Sequence, residues 1–308
     1  MKSAMSVCAE TPTLARPRVA DYLELAKPRV LVLVLFTVGT GVLLAGGRDV
    51  QLAVLLHTVF GTALVAIGAS TLNQWYERDS DALMRRTEKR PLPSGRLQSL
   101  EVFLFGVLLG LGGIVYLGLT LSQITASIVA AATFLLYAVV YTPLKRLTPL
   151  NTLVGAVPGA LPPIIGWCAV RGEITHEAGL LFLVLFLWQV PHFLAIAWIY
   201  RDDYARAGLR MLPVVDRDGQ RTSQHMILYC LALLAVSLQP VLLGSAGLLY
   251  LGGATLLGLT FLATAIGFQR WRSLCQARRV LRASLLYLPG LLVLLLLDRA
   301  LPWLFVSP

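Results

Sequence analysis

An amide and two carboxylates recur at four-residue intervals in the segment NQWYERDSD. They are Asn73, Glu77 and Asp81. If this segment is helical, the three side chains share one face, whereas Asp79 points elsewhere. Mg²⁺ prefers one or two carboxylates and completes its coordination shell with water and substrate phosphates. The spacing therefore predicts a one-sided oxygen site that binds Mg²⁺ together with a phosphate ester.

A run of basic residues follows this stripe in ALMRRTEKRPLPSGR. Carboxylates beside basic side chains suit a diphosphate, because a metal can bridge the acids to the phosphate oxygens while Arg and Lys contact the remaining oxygens. The alternative is a solvated loop with incidental salt bridges. The segment follows directly on an apolar run, and acidic residues at the edge of a bilayer are costly and usually functional. This position favours the binding site over the loop.

The composition places the chain in a membrane. Of its 308 residues, 57% are hydrophobic and only 14% are charged, and the mean hydropathy is +0.74. A soluble domain has about 25% charged residues. The first thirty residues contain no apolar core followed by a small-residue cleavage site, so no signal peptide is expected. The four cysteines are far apart and lack metal-ligand spacing, which is typical of buried hydrophobic positions.

Apolar runs long enough to cross a bilayer occur nine times. They lie near residues 30–47, 52–76, 101–120, 123–142, 151–170, 178–199, 225–244, 246–268 and 284–305. We therefore predict an all-α, polytopic membrane protein with about nine transmembrane helices. A flexible cytoplasmic tail is expected over residues 1–20 and a single membrane domain over residues 21–308.

The basic residues predict an orientation. With the N-terminus in the cytoplasm, only Arg48, Arg171 and Arg299 of the 26 basic residues fall outside the inward-facing segments. The positive-inside rule is then satisfied with a cytoplasmic N-terminus and an outer C-terminus. The net charge of +10 follows from this asymmetry. It requires no nucleic-acid partner, and it favours contact with anionic lipid head groups.

Four segments carry a resemblance to a known family. The N-x-x-x-E-x-x-x-D pattern and the basic run after it resemble the intramembrane prenyltransferases of the UbiA superfamily. YLELAKPRV, YTPLKRLTPLNTLVGAVPGALPPIIGW and WQVPHFLAIAWIYRDDYARAGLRMLPV are most similar to its heme-farnesylating branch, the heme O synthases. These segments extend from about residue 22 to 215, and the last third of the chain matches only as hydrophobic spans.

The resemblance implies an activity and a set of site residues. The implied reaction transfers the farnesyl group of farnesyl diphosphate to a vinyl group of heme b, adds water to give heme O and requires Mg²⁺. The implied fold is a nine-helix bundle around one central cavity. The implied metal ligands are Asn73, Glu77 and Asp81, and the further catalytic acids are Asp202 and Asp203. The implied diphosphate-binding residues are Lys27, Arg29, Arg85, Arg86, Lys89, Arg90, Lys145 and Arg146.

The implied location is a bacterial inner membrane, with the N-terminus and the catalytic loops in the cytoplasm. Heme b and farnesyl diphosphate are the implied substrates. The product would pass to a heme A synthase or a heme–copper oxidase. The lipid bilayer is the remaining expected partner.

The sequence departs from the superfamily pattern at the end of span six. Many relatives have a second D-x-x-x-D motif there, but the corresponding positions in this chain are Tyr200 and Tyr204. Asp202 and Asp203 lie between them. A complete second metal cluster is therefore not expected. Three alternatives remain for the two aspartates, which are binding a metal, orienting Lys and Arg groups, and simply belonging to a helix end of mixed charge.

A single histidine, His192, lies in the apolar part of span six. We predict that it contacts heme, since neutral imidazole is a common iron ligand. The alternative is a hydrogen bond to a neighbouring helix. Two other functions remain open for the whole chain. One is prenyl transfer to a quinone precursor or another aromatic acceptor, and the other is transport, which broken membrane helices would suit.

Overall fold

The computed structural model describes residues 18–305 of the chain, with side chains through residue 300. The tail predicted for residues 1–20 lies outside this range except for its last three residues, which begin the first helix. Within the described range every regular element is a helix. The prediction of an all-α fold is confirmed.

Fifteen α-helices follow one another along the described chain. They are α1 (Arg18–Leu25), α2 (Pro28–Gly46), α3 (Leu52–Asp81), α4 (Ser99–Thr120), α5 (Ile124–Leu135), α6 (Thr142–Leu144), α7 (Asn151–Ala160), α8 (Pro162–Arg171), α9 (His176–Ile199), α10 (Arg201–Arg206), α11 (Leu212–Val215), α12 (Gln220–Ser237), α13 (Gln239–Leu242), α14 (Leu248–Trp271) and α15 (Leu274–Phe305). A 3₁₀ turn, Gly47–Asp49, extends α2, and a π-helical segment, Leu136–Tyr141, joins α5 to α6.

Nine segments of the described chain are long and apolar enough to cross a membrane. They are Pro28–Asp49, Leu52–Asp81, Ser99–Thr120, Ile124–Leu144, Asn151–Arg171, His176–Ile199, Gln220–Leu242, Leu248–Trp271 and Leu274–Ala300. Large apolar side chains such as Leu108, Leu119 and Leu286 are exposed on the outside of the bundle. Such an apolar surface suits contact with lipid, because exposing it to water is unfavourable.

The last span begins ten residues before the predicted position 284. Its first turns are amphipathic, with Ala277 and Val280 buried while Arg278 and Arg279 are exposed. Hydrophobicity alone misses this part of the helix, because half of its surface is polar. The second span likewise continues to Asp81, beyond the predicted residue 76, since its end is packed inside the protein.

Two close approaches between helices fix the frame of the bundle. A Cβ atom on Gly166 of α8 would lie 2.1 Å from the carbonyl oxygen of Val38 in α2. A Cβ atom on Gly68 of α3 would lie 2.7 Å from the carbonyl oxygen of Gly106 in α4. Small residues allow membrane helices to pack backbone against backbone. The second of these contacts holds α3, which carries the acidic stripe, against α4.

Candidate functional site

The end of α3 presents the stripe of Asn73, Glu77 and Asp81 to the inside of the protein. Their relative exposures are 2%, 7% and 1%, whereas Asp79 has an exposed side chain. The three residues lie on one helical face, as their spacing predicts. Burial of two carboxylates is costly unless they are paired or bind a metal. The solvated-loop interpretation is therefore excluded for this stripe.

Each member of the stripe contacts one cation from a different part of the chain. Lys27 Nζ, from the junction of α1 and α2, lies 3.3 Å from Asn73 Oδ1. Lys145 Nζ, just after α6, lies 2.6 Å from Glu77 Oε1. Arg90, in the loop after α3, donates to Asp81 Oδ2 at 2.6 Å. The fold thus assembles alternating cations and oxygen donors at one end of the bundle.

The donor set fits a hard divalent cation. Asp81 Oδ1 is buried and has no hydrogen-bond partner, a situation that costs free energy until a ligand occupies it. The Asn73 amide is oriented by Thr142, whose hydroxyl donates to the Tyr137 carbonyl oxygen at 2.8 Å and lies 3.2 Å from Asn73 Nδ2. Thr142 must therefore accept from the amide nitrogen, and Asn73 Oδ1 faces Lys27 Nζ. Amide and carboxylate oxygens are the ligands that Mg²⁺ takes.

The two lysines of the cluster differ in their pKa. Burial lowers the pKa of Lys27 to about 7, and the charge of Arg90 acts in the same direction against the charge of Glu77. Burial also lowers the pKa of Lys145, but the adjacent Glu77 charge outweighs it and holds that pKa well above its ordinary value. Near neutral pH Lys145 is therefore fully charged, while Lys27 can gain or lose its proton.

The backbone of Lys27 is held in an unusual conformation. Its φ is 48°, one of two positive values at non-glycine residues of the described chain. Just before it, the Leu25 carbonyl oxygen accepts from Gln74 Nε2 at 2.8 Å and from Ser70 Oγ at 3.1 Å. Strained backbone of this kind persists where neighbouring contacts enforce it. Gln74 and Ser70, which the sequence analysis did not single out, thus fix Lys27 beside the stripe.

The end of span six faces the basic loop through two aromatic rings. The Arg86 guanidinium lies 5.0 Å from the ring centroids of both Tyr200 and Tyr204. Arg86 also donates to the Tyr204 hydroxyl at 2.8 Å. These tyrosines occupy the positions where a second acidic motif was considered. In place of a second pair of carboxylates the chain has two aromatic rings that contact a cation. This cation–π arrangement is favourable for a guanidinium.

Among the described residues, the remaining predicted side chains have other partners than the stripe or are exposed. Asp202 is exposed and lies 3.8 Å from Arg201, and Asp203 pairs with Arg206. Both ion pairs are local to this helix, so the structure favours local pairing over a second metal cluster. Arg146 donates to Ser80 Oγ at 3.4 Å. The predicted basic residues that are exposed in the structure are Arg29, Arg85, Arg86, Lys89 and Arg146.

An apolar cavity extends from Lys27 into the membrane-spanning part of the bundle. On α3 its wall is formed by Ser70, Ala66 and Thr62, which precede Asn73 by successive helical turns. The other walls come from α2, the α5–α6 connection, α7 and α8, with Ile165 among the lining residues. The cavity and the stripe thus share one face of α3. This arrangement can hold an apolar chain with its charged end at the stripe.

His192 lies in α9, away from the stripe. Its Nδ1 is 2.8 Å from Ser284 Oγ of α15, and its ring stacks on Trp188 with centroids 4.8 Å apart. The structure therefore contains the hydrogen bond to a neighbouring helix that the sequence analysis left as the alternative. That bond occupies one ring nitrogen. A role for the other nitrogen is compatible with it.

The chain is similar to known proteins over most of its length. The profile of the UbiA prenyltransferase family matches residues 34–288. A protoheme IX farnesyltransferase of Solibacter usitatus is 49% identical over 91% of the chain and 98% of its own length. One from Salinibacter ruber is 46% identical over 90% of the chain and 98% of its own length.

Two solved structures show the same fold. A digeranylgeranylglyceryl phosphate synthase superposes with a TM-score of 0.77 at 18% identity, covering 92% of this chain and 98% of the other. A UbiA homologue from Archaeoglobus fulgidus bound to GPP and Mg²⁺ has a TM-score of 0.61 at 15% identity, covering 89% of this chain and 99% of the other. At these identities the likeness concerns the fold alone.

Proposed function

Because the chain belongs to the UbiA prenyltransferase family, we propose that it is an integral membrane enzyme that farnesylates heme b. In this reaction the allylic C–O bond of farnesyl diphosphate breaks and the diphosphate leaves with the electron pair. A C–C bond forms to a vinyl carbon of heme b, and water adds a hydroxyl group at the neighbouring carbon with release of a proton. The product is heme O. Nearly full-length similarity to two proteins named protoheme IX farnesyltransferase supports this choice of acceptor.

The observation that carries the proposal is the alternation of cations and oxygen donors at the end of an apolar cavity. Asn73 Oδ1, Glu77 and Asp81 Oδ1 would hold Mg²⁺, which when bound offsets the charge of the diphosphate and of its leaving group. The cluster has three basic side chains and two carboxylates, hence at most one net positive charge. A diphosphate with roughly three negative charges and one Mg²⁺ would leave the loaded site close to neutral.

The basic side chains of the cluster have a direct role in this proposal. Lys145, Arg90 and Lys27 are already fixed at the stripe before substrate binds. Cations that are preorganised where negative charge develops lower the barrier more than mobile cations do, because they need no reorganisation. They would bind the phosphate oxygens and stabilise the departing diphosphate. Arg86, seated on its two tyrosines, extends this positive surface toward span six.

The cavity has a complementary role. Its lining is mainly apolar, so it can hold the farnesyl chain and keep water from the allylic cation until the vinyl group reacts. The positive-inside distribution supports a cytoplasmic site and an outer C-terminus. The proposed location is a bacterial inner membrane. A heme A synthase or a heme–copper oxidase would receive the product.

A product assay on the purified chain in nanodiscs tests the proposal. Heme b and farnesyl diphosphate are supplied with Mg²⁺ or with EDTA. The extracted hemes are then separated by chromatography, and their masses are measured by mass spectrometry. We expect a more hydrophobic heme with the mass of a farnesyl group plus water, formed only with Mg²⁺. Asp81→Asn should abolish its formation, whereas Asp79→Asn, on the exposed side of the same helix, should retain it.

Two results would contradict the proposal. If folded protein forms no new heme but prenylates a quinone precursor, the acceptor is wrong. If Asp81→Asn turns over at the wild-type rate, the metal assignment of the stripe is wrong. Insertion and folding of each variant are checked by size-exclusion chromatography before the assay.

A further inference from the structure

The hydrogen bond between His192 and Ser284 fixes where the imidazole proton lies. The Ser284 hydroxyl donates to the Leu281 carbonyl oxygen at 2.7 Å. A serine hydroxyl has only one proton to donate. At its 2.8 Å contact with His192 Nδ1, Ser284 Oγ must therefore accept. The proton of a neutral His192 is thus on Nδ1, and Nε2 has a free electron pair.

Further contacts hold both partners of this bond. Ser284 is fully buried, and its own carbonyl oxygen accepts from Trp188 Nε1 at 2.7 Å. The same Trp188 stacks on the His192 ring, and Phe193 contacts that ring edge-on. Rotation of the imidazole would break the bond to Ser284 and disturb the stacking. The orientation of the ring is therefore set by contacts from both α9 and α15.

An apolar membrane helix favours the neutral imidazole, because a buried cation without an acidic partner is expensive. A neutral imidazole with its proton on Nδ1 is the form that binds a metal through Nε2. Histidines that ligate metals nearly always donate their other ring N–H to an oxygen acceptor, which fixes the tautomer. His192 is not among the fully buried residues of α9.

We propose that Ser284 is a positioning residue that holds His192 in the Nδ1–H tautomer, so that Nε2 binds the iron of the heme substrate as an axial ligand. This inference rests on the proposed function, since it requires heme b as the acceptor. The competing interpretation is a hydrogen bond that serves only to join α9 to α15. The two interpretations differ in what the removal of the hydroxyl does to bound heme.

The test is heme binding by the full chain in nanodiscs, without farnesyl diphosphate. Heme b is titrated into wild type and variants, and the iron–histidine stretching band of the ferrous complex is recorded by resonance Raman spectroscopy. His192→Ala should lose that band. Ser284→Ala should weaken heme binding about tenfold, the lower end of the range for such supporting partners, and lower the frequency of the band. Ser284→Thr, which keeps the hydroxyl, should restore both.

The matched control is Ser237→Ala. Ser237 is equally buried and also donates to a carbonyl oxygen of its own helix, but has no histidine partner among its hydrogen bonds. It should bind heme within twofold of wild type. Ser284→Cys serves as a second variant of similar size with a weak acceptor. In the His192→Ala background, Ser284→Ala should cause no further loss of affinity, since the two changes remove one interaction.

The inference is overturned if His192→Ala keeps the iron–histidine band, or if folded Ser284→Ala and Ser284→Cys both bind heme with the affinity and spectrum of wild type. Product formation is measured on the same wild-type preparation. Wild type that makes heme O while its variants show either result leaves the proposed function intact and removes only the axial ligand. Wild type that neither binds nor modifies heme b overturns both.

Discussion

Mg²⁺ and diphosphate should bind to this protein cooperatively, because each occupies groups that the other releases. In the substrate-free structure Glu77 is bound to Lys145, and Asp81 is bound to Arg90, both at 2.6 Å. A metal ion alone has to take the carboxylates away from their cations. A diphosphate alone has to take the cations away from the carboxylates. When both bind, every group exchanges one partner of opposite charge for another.

The expected size of this coupling follows from the burial of the two pairs. The exposed side-chain fractions are 14% and 9% for Lys145 and Glu77, and 22% and 1% for Arg90 and Asp81. Leaving one charge of a buried pair without a partner costs about 3–5 kcal/mol. Residual solvent contact reduces that cost here. We expect the coupling to lie near the upper end of the usual range, about 2–3 kcal/mol, or roughly 30- to 150-fold in affinity.

The assay is ligand binding in nanodiscs, with Mn²⁺ as an EPR-visible substitute for Mg²⁺ and inorganic diphosphate as the second ligand. Mn²⁺ affinity is measured with and without diphosphate. Lys145→Met frees Glu77, so Mn²⁺ alone should bind at least tenfold more tightly than to wild type, and the coupling should shrink. Arg278→Met, which removes an exposed cation at the same face of the membrane, is the control and should change neither quantity.

Two observations would refute the reasoning. If Mn²⁺ binds wild type equally tightly with and without diphosphate, the ion pairs do not compete with the ligands. If Lys145→Met lowers Mn²⁺ affinity in the absence of diphosphate, the Glu77–Lys145 pair supports the metal site rather than blocking it. Either outcome would assign the pairs a structural role.

Four further predictions follow from Lys27, Arg86 and Gly166. Burial lowers the pKa of Lys27 from its ordinary 10.5 to about 7. The affinity for diphosphate should therefore fall as pH rises above 7. Calorimetric titrations should show that Lys27→Arg flattens this pH dependence. The unfolded chain binds the Lys27 proton more tightly than the folded protein does, so the lowered pKa destabilises the fold. The full destabilisation applies below pH 7 and decreases between pH 7 and 10.5. Unfolding temperatures that fall over this pH range would contradict the prediction. Arg86→Lys should lower kcat/KM at least tenfold, because an ammonium cannot replace a guanidinium stacked on two rings. Tyr204→Phe should lower kcat/KM only about fivefold, which corresponds to one hydrogen bond of about 1 kcal/mol. Equal effects of the two variants in steady-state assays would argue against stacking of Arg86 on the two tyrosines. Gly166→Val should destabilise the bundle by about 1–3 kcal/mol or more, because the valine side chain would meet the backbone of α2. Gly112 has open space around it, so Gly112→Val should unfold in detergent at the wild-type temperature.

The sequence predicts best what depends on local periodicity. The spans follow from runs of apolar residues, and the shared face of Asn73, Glu77 and Asp81 follows from helical geometry. It cannot rank the basic residues after the stripe, since Arg85, Lys89 and Arg90 belong to one run. Only the folding of the loop decides that Arg90 reaches Asp81 while the other two are exposed. That choice depends on tertiary packing.

Contacts between distant segments are also beyond the reach of the pattern. Ser284 lies 92 residues from His192, in a span where a serine has no distinguishing mark. Its importance depends on the crossing of α9 and α15, which brings one hydroxyl to one ring nitrogen. Gln74 is a similar case, because only the position of the Leu25 carbonyl shows that it holds Lys27 in place.

At the end of span six, the sequence lacks a second acidic motif, and the structure has a different cation-binding arrangement at the same position. Tyr200 and Tyr204 lack the carboxylates that would bind a second metal ion. Their rings instead hold the Arg86 guanidinium from the loop after α3. An arginine has its positive charge permanently and needs no metal to supply it. A carboxylate pair acquires positive charge at this position only when a cation binds. The chain thus has a fixed cation on the span-six side of the candidate site, and the Mg²⁺ that we propose is confined to the stripe on α3.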